Sequence, residues 1–348
     1  PLVGTYRTFL VFAGLLVLTA LAGLAKTAGW KQALAHSWMA VVLLLLAIFG
    51  TPGTDKSSTG MIYEKESAYN YIQVLQFGDT RILRLNEGQG IHSQYHPTEL
   101  FYNGPWEQVL VAPFFNPAPV DPAKIKSLAI VGLAAGTTAR QAAAVYPGIR
   151  VDGFEIDPEI VKVGRDYFEM NDPNLIVLVQ DGRWGLAHSP NRYQIISVDA
   201  YRPPYIPAHM VTREFFQIVH DHLTPDGVMV INVGRAPSDR RLVDAMYQTI
   251  LTVFPTAFIM DLPDTFNTLI YATRQPADVT NLVANYQAML PRSDVHPLLP
   301  KLLEKTIANL QPAPTNGVVF TDDRAAIEWL TNAMILNFLS SGETENLQ

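Results

Sequence analysis

The stretch SLAIVGLAAGTTARQAAAVYP, residues 127–147, decides the fold class of this chain. It reads as an apolar strand, a glycine-rich turn and a helix, and three more apolar strands follow in VDGFEID (151–157), IVLVQDG (176–182) and YQIISVDA (193–200). Strands and helices that alternate over short connections are typical of a parallel α/β sheet. Such sheets bind ligands at the carboxyl ends of their strands. The stretch therefore predicts a doubly wound sheet with a pocket for an adenosine-bearing cofactor.

Small and acidic residues stand at the predicted strand ends. Gly132, Ala134 and Gly136 let the backbone approach a ligand, and the helix after them begins with free N–H groups. Glu155 ends the second strand, where an acid can accept hydrogen bonds from both ribose hydroxyls. Asp157 belongs to the same acidic cluster. These positions predict a cofactor-binding turn, and the alternative for the two acids is a solvated surface cluster.

Two further strands end in aspartate. Asp181 and Gly182 close the third strand, where a carboxylate or a backbone group can read the adenine amino edge, unless Asp181 caps the next helix. Asp199 closes the fourth strand and opens a loop that contains Tyr201. A carboxylate there can hold a cationic amine or take its proton, and the alternative is a cap for the loop.

The composition excludes several classes of function. The chain has 348 residues, a formal net charge of -7 and a pI near 5.6, which argues against a nucleic-acid surface and permits a cationic substrate. It has no cysteine, so disulfides, thiolate metal sites and cysteine nucleophiles are excluded. His92 and His96 have the spacing of metal ligands, but Pro97 and the glycines before them disfavour a helix. We expect no metal site.

The amino end predicts two membrane helices within residues 1–50. Thr8–Ala25 has no charged residue and approaches the length that crosses a bilayer, and Ala35–Gly50 is a second, shorter apolar run. Lysine and arginine do not orient the pair, but an intracellular nucleoside donor would put the long carboxyl part in the cytoplasm. Because the chain opens on Pro1, we expect a processed or truncated piece of a larger membrane protein.

The remaining chain divides into four predicted parts. Residues 51–60 are a linker, 61–123 a small β-hairpin subdomain with a connecting helix, 124–278 the adenosyl-donor domain and 279–348 a helical extension. The loop Asn86–His96 after the hairpin is polar and aromatic, so its side chains are candidates for substrate contacts: Glu87, Gln89 and Tyr95. Late in the chain, Asp322 lies in an acidic turn that caps a helix or forms a lid over the site.

The chain resembles the spermidine synthase family of aminopropyltransferases, in particular its membrane-fused branch. The resemblance covers about residues 63–233 and 321–328. It rests on YEKESAYNYIQV, LNEGQGIHS, VGLAAGTTARQAAAVYP, FEIDPEIVKVGRDYF, QDGR, VDAYRPPYIPAHMVTREFF, LTPDGVMVINV and VFTDDRAAIEWL.

The resemblance implies a fold and a reaction. The expected fold is a seven-stranded methyltransferase-like, Rossmann-like sheet preceded by a small β-subdomain, commonly in a homodimer. The expected reaction moves an aminopropyl group from decarboxylated S-adenosylmethionine to a polyamine amine and releases methylthioadenosine. By position, Glu155 would hold the ribose, Asp181 the adenine and Asp199 the attacking amine. Tyr201 and Asp322 are further candidates for substrate contacts.

The sequence also departs from the family pattern. Soluble members carry an acid in the first glycine loop, where this chain has Ala134-Ala135, and a second aspartate where this chain continues with Ala200-Tyr201. A tyrosine expected before the sheet has two possible counterparts, Tyr102 and Trp106. Because buried ammonium groups need paired charge, these losses weaken the case for a dicationic diamine acceptor. The donor is then either decarboxylated or intact S-adenosylmethionine.

Three hypotheses for the function follow. The first is a membrane-anchored, spermidine synthase-like transferase with a small-molecule amine acceptor. The second is a methyltransferase on the same fold, which would release S-adenosylhomocysteine instead of methylthioadenosine. The third is a non-catalytic subunit of a membrane complex that retained the fold.

Overall fold

The computed structural model describes residues 4–50, 58–86, 90–201 and 205–340. The chain forms two compact units, Pro1–Leu75 and Gln76–Gln348. Most of the predicted linker at 51–60 lies outside the described residues, as do Glu87 and Gln89, two of the predicted substrate contacts.

The first unit contains the two apolar segments. They form helices α1 (Gly4–Ala28), α2 (Trp30–His36) and α3 (Trp38–Phe49). Two stretches, Tyr6–Ala28 and Trp30–Phe49, have mean hydropathies of 2.3 and 2.0 and are long enough to cross a bilayer. After them, β1 (Met61–Glu66) pairs antiparallel with β2 (Tyr71–Phe77).

The second unit begins with an antiparallel pair, β3 (Thr80–Leu85) and β4 (Ser93–Tyr95). A short helix, α4 (Pro105–Gln108), then continues as a 3-10 helix (Val109–Phe115). The connecting helix predicted within residues 61–123 therefore exists, but only its first turn is an α-helix. Pro113 lies in the 3-10 part and has no N–H to donate to an α-helical hydrogen bond.

The main sheet of the second unit has eight strands in the order β12-β10-β11-β9-β8-β5-β6-β7. Neighbours from β7 to β9 pair in parallel, and β9, β11, β10 and β12 pair antiparallel. The strands are β5 (Ser127–Val131), β6 (Arg150–Glu155), β7 (Leu175–Val179), β8 (Tyr193–Val198), β9 (Leu223–Gly234), β10 (Thr256–Asp261), β11 (Asn267–Thr273) and β12 (Leu310–Gln311).

The predicted number of seven strands is wrong by one. The additional strand is β12, in which Leu310 pairs with Met260 and Gln311 with Ile259. A strand of two residues is too short to show an alternating pattern in the sequence. Beside β12, strands β10 and β11 pair in antiparallel register from Thr256 opposite Thr273 to Asp261 opposite Thr268.

Helices cover both faces of this sheet because its central strand is apolar on both sides. Leu128 and Ile130 of β5 belong to one core cluster, and Ala129 and Val131 belong to a second. Alternate residues of a strand face opposite sides, so the two clusters mark two layers of helices. The helices are α5 (Thr137–Val145), α6 (Pro158–Tyr167), α7 (Gly182–Ala187), α8 (Arg213–His222), α9 (Arg241–Leu251), α10 (Thr280–Met289), α11 (Leu298–Ala308) and α12 (Ile327–Ser340).

The turn between β5 and α5 brings two strand ends together. Gly132 has a φ of 91°, and a Cβ placed on it would lie 2.5 Å from the carbonyl oxygen of Asp199. A residue with a side chain would therefore meet both backbone strain and a steric clash. The end of β8 can approach the turn this closely only because residue 132 is glycine.

We expect the substitution Gly132→Ala to lower the free energy of unfolding by about 2–4 kcal/mol. About 1 kcal/mol comes from the left-handed backbone and the rest from the clash with Asp199. The matched control is Gly148→Ala, since Gly148 also has a positive φ of 72° but its nearest neighbour, Lys126 Nζ, would lie 3.7 Å away. Urea unfolding of the detergent-solubilised chain measures both variants. Equal losses would contradict the close approach at Gly132.

Candidate active site

A cavity of about 310 Å³ opens at the carboxyl ends of β5, β8 and β9. Its wall combines the turn after β5, the end of β8, the end of β9, residues 90–92 and the start of α4. The predicted site residues that line it are Gly132, Ala134, Asp199 and Tyr201. The cavity is therefore at the edge of the sheet where the sequence predicted a nucleoside pocket.

The glycine turn is held by hydrogen bonds to its backbone amides. Ala134 N donates to Glu155 Oε2 (2.9 Å), and Ala135 N donates to Ser93 Oγ (3.0 Å). Thr137 Oγ1 donates to the carbonyl oxygen of Gln94 (3.0 Å), so β4 is fastened to the start of α5. Two backbone amides of the turn itself thus have partners within the chain. Ala134 keeps a φ of 48°, which is unusual for a residue with a side chain.

Glu155 is a buried carboxylate that supports the turn from behind. It is 7% exposed, and its Oε1 accepts from Asp157 N (3.0 Å) while Oε2 accepts from Ala134. Burial raises the pKa of Glu155 to about 7. Among the described residues that line the cavity, Ala134 is present and Glu155 is not. Each carboxylate oxygen still has a second lone pair for a ligand.

Asp199 places a carboxylate in the cavity wall. Its Oδ1 accepts from Asn232 Nδ2 (3.0 Å), and burial raises the pKa of Asp199 to about 6. Tyr201 fastens the segment after Asp199 to β9, because its hydroxyl donates to Asn232 O (3.0 Å) and accepts from Gly234 N (2.7 Å). The Tyr201 hydroxyl therefore serves the backbone, while the residue still forms part of the wall.

Asn232 is a site residue that the sequence reasoning missed. Because its Nδ2 donates to Asp199, its Oδ1 faces away from that carboxylate. Oδ1 is buried and has no hydrogen-bond partner among the described residues. The available signal was a polar residue inside the apolar strand Val228–Val233, where burial without a partner costs free energy.

Three more residues of the wall come from segments that the sequence left open. Of the two candidates for an aromatic contact, Trp106 lines the cavity, whereas the Tyr102 hydroxyl donates to Glu99 O (2.8 Å) and accepts from His96 N (3.0 Å). His92 also lines the cavity. Burial lowers the pKa of His92 to about 4, so its ring is neutral at physiological pH. Phe266 completes the wall beside the end of β9.

The remaining predicted cofactor contacts have structural partners. Asp157 is fully buried and caps α6 by accepting from Glu159 N (3.0 Å). Asp181 caps α7 by accepting from Trp184 N (2.8 Å), and His209, at 3.0 Å, holds the pKa of Asp181 below its usual value. Gly182 packs against Val131, where an added Cβ would lie 2.5 Å from Cγ1. Asp181 thus takes the cap position that was its alternative, whereas the burial of Asp157 contradicts the solvated surface cluster.

Two predicted substrate contacts lie away from the cavity wall. Tyr95 is 4% exposed, with the guanidinium carbons of Arg140 and Arg81 at 4.5 Å and 5.7 Å from its ring centroid. Asp322 accepts two hydrogen bonds from Arg183, at 2.7 Å and 2.6 Å. In the structure the Tyr95 ring contacts two cations, and Asp322 fastens the carboxyl-terminal segment to α7.

Within residues 4–50, 58–86, 90–201 and 205–340, no group of three or more His, Cys, Asp or Glu residues is placed to hold a metal ion.

Comparisons with known proteins agree with this geometry. Residues 119–276 match the family model described as spermine/spermidine synthase domain. The chain is 30% identical over 286 residues to a probable polyamine aminopropyl transferase of Bifidobacterium longum, covering 78% of this chain and 62% of that protein. It is 28% identical over 238 residues to a polyamine aminopropyltransferase of Vibrio vulnificus, covering 64% of this chain and 75% of that protein.

Solved structures support the fold. A probable spermidine synthase from Corynebacterium glutamicum superposes with a TM-score of 0.56 at 20% identity, covering 76% of this chain and all of that one. Spermidine synthase from Thermotoga maritima superposes with a TM-score of 0.53 at 17% identity, covering 79% of this chain and 88% of that one. The methyltransferase-like α/β fold is therefore shared with spermidine synthases.

The raised pKa of Glu155 predicts how stability depends on pH. The folded chain keeps this proton up to about pH 7, whereas an unfolded glutamate loses it near pH 4.5. Raising the pH between these values therefore lowers the free energy of unfolding of the wild type, by at most about 1.4 kcal/mol per pH unit. This loss of stability is absent below about pH 4.5 and complete above about pH 7.

We expect Glu155→Gln to remove this dependence, so the stability of the wild type relative to the variant falls between about pH 4.5 and pH 7. Urea unfolding at pH 4.5, 6 and 7.5 measures this difference in the free energy of unfolding between the wild type and Glu155→Gln. The control is Glu304→Gln, at an exposed position of α11. Its free energy of unfolding should change with pH in the same way as that of the wild type. Parallel curves for Glu155→Gln as well would contradict a shifted titration at Glu155.

Proposed function

We propose that this chain is a membrane-anchored, spermidine synthase-like transferase that moves an aminopropyl group from decarboxylated S-adenosylmethionine to an amine acceptor. The match over residues 119–276 supports the donor class, and the relatives named above act on polyamines by their names. The observation that carries the proposal is Asp199, a carboxylate in the wall of a cavity at the strand ends.

Asp199 and Asn232 form the proposed amine site. The carboxylate of Asp199 and the unpartnered Oδ1 of Asn232 both accept hydrogen bonds, and an ammonium group has three to donate. The indole ring of Trp106 in the same wall adds an electron-rich surface that favours a cation. Asp199 is the one carboxylate among the described lining residues, which supports binding of a single ammonium group there.

The charge of the wall favours a decarboxylated donor. None of the lining residues that the structure describes is lysine or arginine. The carboxylate of intact S-adenosylmethionine would therefore be buried beside Asp199 without a counter-ion, which is costly. The decarboxylated donor has no such carboxylate, so its binding avoids this cost. Glu155 and the turn at Gly132–Gly136 would hold the ribose, since Glu155 retains acceptor capacity behind Ala134.

The proposed reaction is an in-line displacement. The lone pair of the acceptor nitrogen attacks the methylene carbon next to the sulfonium sulfur, and a C–N bond forms while the C–S bond breaks. The electrons of the broken bond remain on sulfur, so methylthioadenosine leaves as a neutral thioether. Before this attack, Asp199 takes one proton from the bound ammonium group, so that the nitrogen has a free lone pair. Because the sulfonium is already activated, the chain contributes mainly positioning and this proton acceptor.

We expect Asp199→Asn to lower kcat/KM by about 100-fold or more, which is the usual contribution of a general base. In the wild type the rate should fall as the pH drops below about 6, because Asp199 then becomes protonated. The rate is measured by mass spectrometry of the nucleoside product. The reactions contain decarboxylated or intact S-adenosylmethionine and a panel of amines. The control is Asp221→Asn, a surface aspartate that is 58% exposed in its side chain.

The product also separates the alternatives. Methylthioadenosine that requires Asp199 supports the proposal. S-Adenosylhomocysteine would identify a methyltransferase instead. Nucleoside binding without turnover for every acceptor would indicate a non-catalytic subunit of a membrane complex.

The proposed location is a cell membrane, with the part from residue 58 onward in the cytoplasm. The support is the length and apolarity of Tyr6–Ala28 and Trp30–Phe49, together with a donor that is made inside cells. We expect the chain to stay in the membrane pellet after alkaline carbonate extraction. Protease added to intact cells should leave residues 58–340 undigested, whereas digestion from outside would place this part on the other side.

A further inference from the structure

We propose that α12 is a positioning element of the amine side of the cavity. The helix lies outside the matched region 119–276, yet its Phe338 contacts Phe266 of the cavity wall and its Asn332 binds Tyr205. The kinetic part of this inference rests on the proposed function, but the structural part does not.

The start of α12 is fixed to the sheet domain. The turn Thr321–Arg324 precedes the helix, and Asp322 in this turn binds Arg183 through two hydrogen bonds and accepts a third from Thr212 Oγ1 (2.7 Å). Within the helix, Ile327 is fully buried and Met334 is 5% exposed. The helix is therefore a fixed support, not a free tail.

The first contact supports an aromatic residue of the cavity wall. Phe338 of α12 packs edge-to-face against Phe266, with ring centroids 5.9 Å apart and an interplanar angle of 69°. Phe266 lines the cavity. Its backbone oxygen accepts from Arg235 N (2.7 Å), next to Gly234 at the end of β9. Phe266 is thus held by a backbone hydrogen bond to Arg235 and by the ring contact with Phe338.

The wall that Phe266 forms continues to the proposed amine site. Gly234 pairs with Asn267 across β9 and β11, and both line the cavity with Phe266. Asn232, two residues before Gly234, hydrogen-bonds to Asp199. A displacement of Phe266 therefore changes the space beside Asp199 while the turn at Gly132 stays in place.

The second contact joins α12 to Tyr205, which comes six residues after Asp199 in the chain. Tyr205 donates a hydrogen bond from its hydroxyl to Asn332 Oδ1 of α12 (2.6 Å). The next residue, Ile206, is 2% exposed and belongs to the core. The same helix therefore contacts Phe266 of the cavity wall, just before β11, and Tyr205, which lies between β8 and α8 in the chain.

The outer face of α12 offers matched controls. Trp329 and Leu336 are 70% and 66% exposed, so truncating them changes the helix without changing either contact. Phe338→Ala and Trp329→Ala both remove a large aromatic ring from the same helix. Any difference between the two variants reports the contact with Phe266.

The kinetic test uses decarboxylated S-adenosylmethionine and the amine from the panel above that gives the highest kcat/KM. We expect Phe338→Ala to raise the KM for the amine about 3-fold to 10-fold, because aromatic pairs contribute this range of affinity. The KM for the donor and kcat should stay within twofold of the wild type. Phe338→Tyr keeps the ring and should restore the amine KM, and Trp329→Ala should leave all three parameters unchanged. Equal effects of Phe338→Ala and Trp329→Ala, or an effect on donor KM alone, would overturn the proposal.

A double-mutant cycle tests the second contact. Tyr205→Phe and Asn332→Leu should each raise the amine KM, and the double variant should show no more than either single change, since both remove one hydrogen bond. Asn332→Asp still accepts from Tyr205 and should restore the amine KM. Additive effects would mean that the two residues act independently, which contradicts the positioning role.

Hydrogen exchange separates this inference from the proposed function. In the full chain without any substrate, Phe338→Ala should increase deuterium uptake in the peptide that contains Phe266 at least twofold, and Asn332→Leu should do so in the peptide that contains Tyr205. Trp329→Ala should change neither. If the wild type transfers no group but these increases occur, the function fails and the positioning role stands. If uptake is unchanged in both peptides, the positioning role fails whatever the activity.

Discussion

The close approach of the Gly132 backbone to the carbonyl of Asp199 is the constraint on which the site depends. Neighbouring parallel strands β5 and β8 end at the same edge of the sheet, and the absence of a side chain at residue 132 lets their end segments touch. The turn that would hold a nucleoside and the carboxylate that would hold an amine are therefore adjacent. A displacement reaction needs its two reactants in this relation.

Around this contact, the chain uses backbone groups to hold polar side chains in place. Tyr201 spans from the Asp199 segment to β9, and Ser93 and Glu155 bind the amides of the glycine turn. These hydrogen bonds keep the turn in a left-handed conformation at Ala134 that the free chain would rarely adopt. The cavity is therefore formed before a ligand arrives, which reduces the ordering cost of binding.

Much of the fold was predictable from the sequence, because strands and helices of the sheet domain are local patterns. The apolar run Ser127–Val131 and the helix Thr137–Val145 coincide with β5 and α5. The place of Asp199 directly after a strand end was also predictable, since it follows from the same pattern. The two-residue strand β12 was not, because it exists only through pairing with β10.

The hydrogen-bond and ion-pair partners of polar side chains were the features that the sequence predicted least well. Asp322 and Arg183 are far apart in the chain, so nothing local predicts their ion pair, and the same holds for Tyr95 between two arginines. Asn232 carried a signal that was not used: a buried strand rarely contains an amide unless something binds it. A polar residue inside an apolar strand is therefore as informative as an acid at the end of one.

The hydrogen bond between Asn232 and Asp199 also has an evolutionary consequence. Codons for asparagine and aspartate differ by one nucleotide, so a single base change can place a second carboxylate about 3.0 Å from the first. Two carboxylates at this distance would share a proton or demand a second cation. One mutation at residue 232 would thus turn a cavity with one carboxylate into a cavity with two, which would bind more positive charge. The backbone around residue 232 need not change.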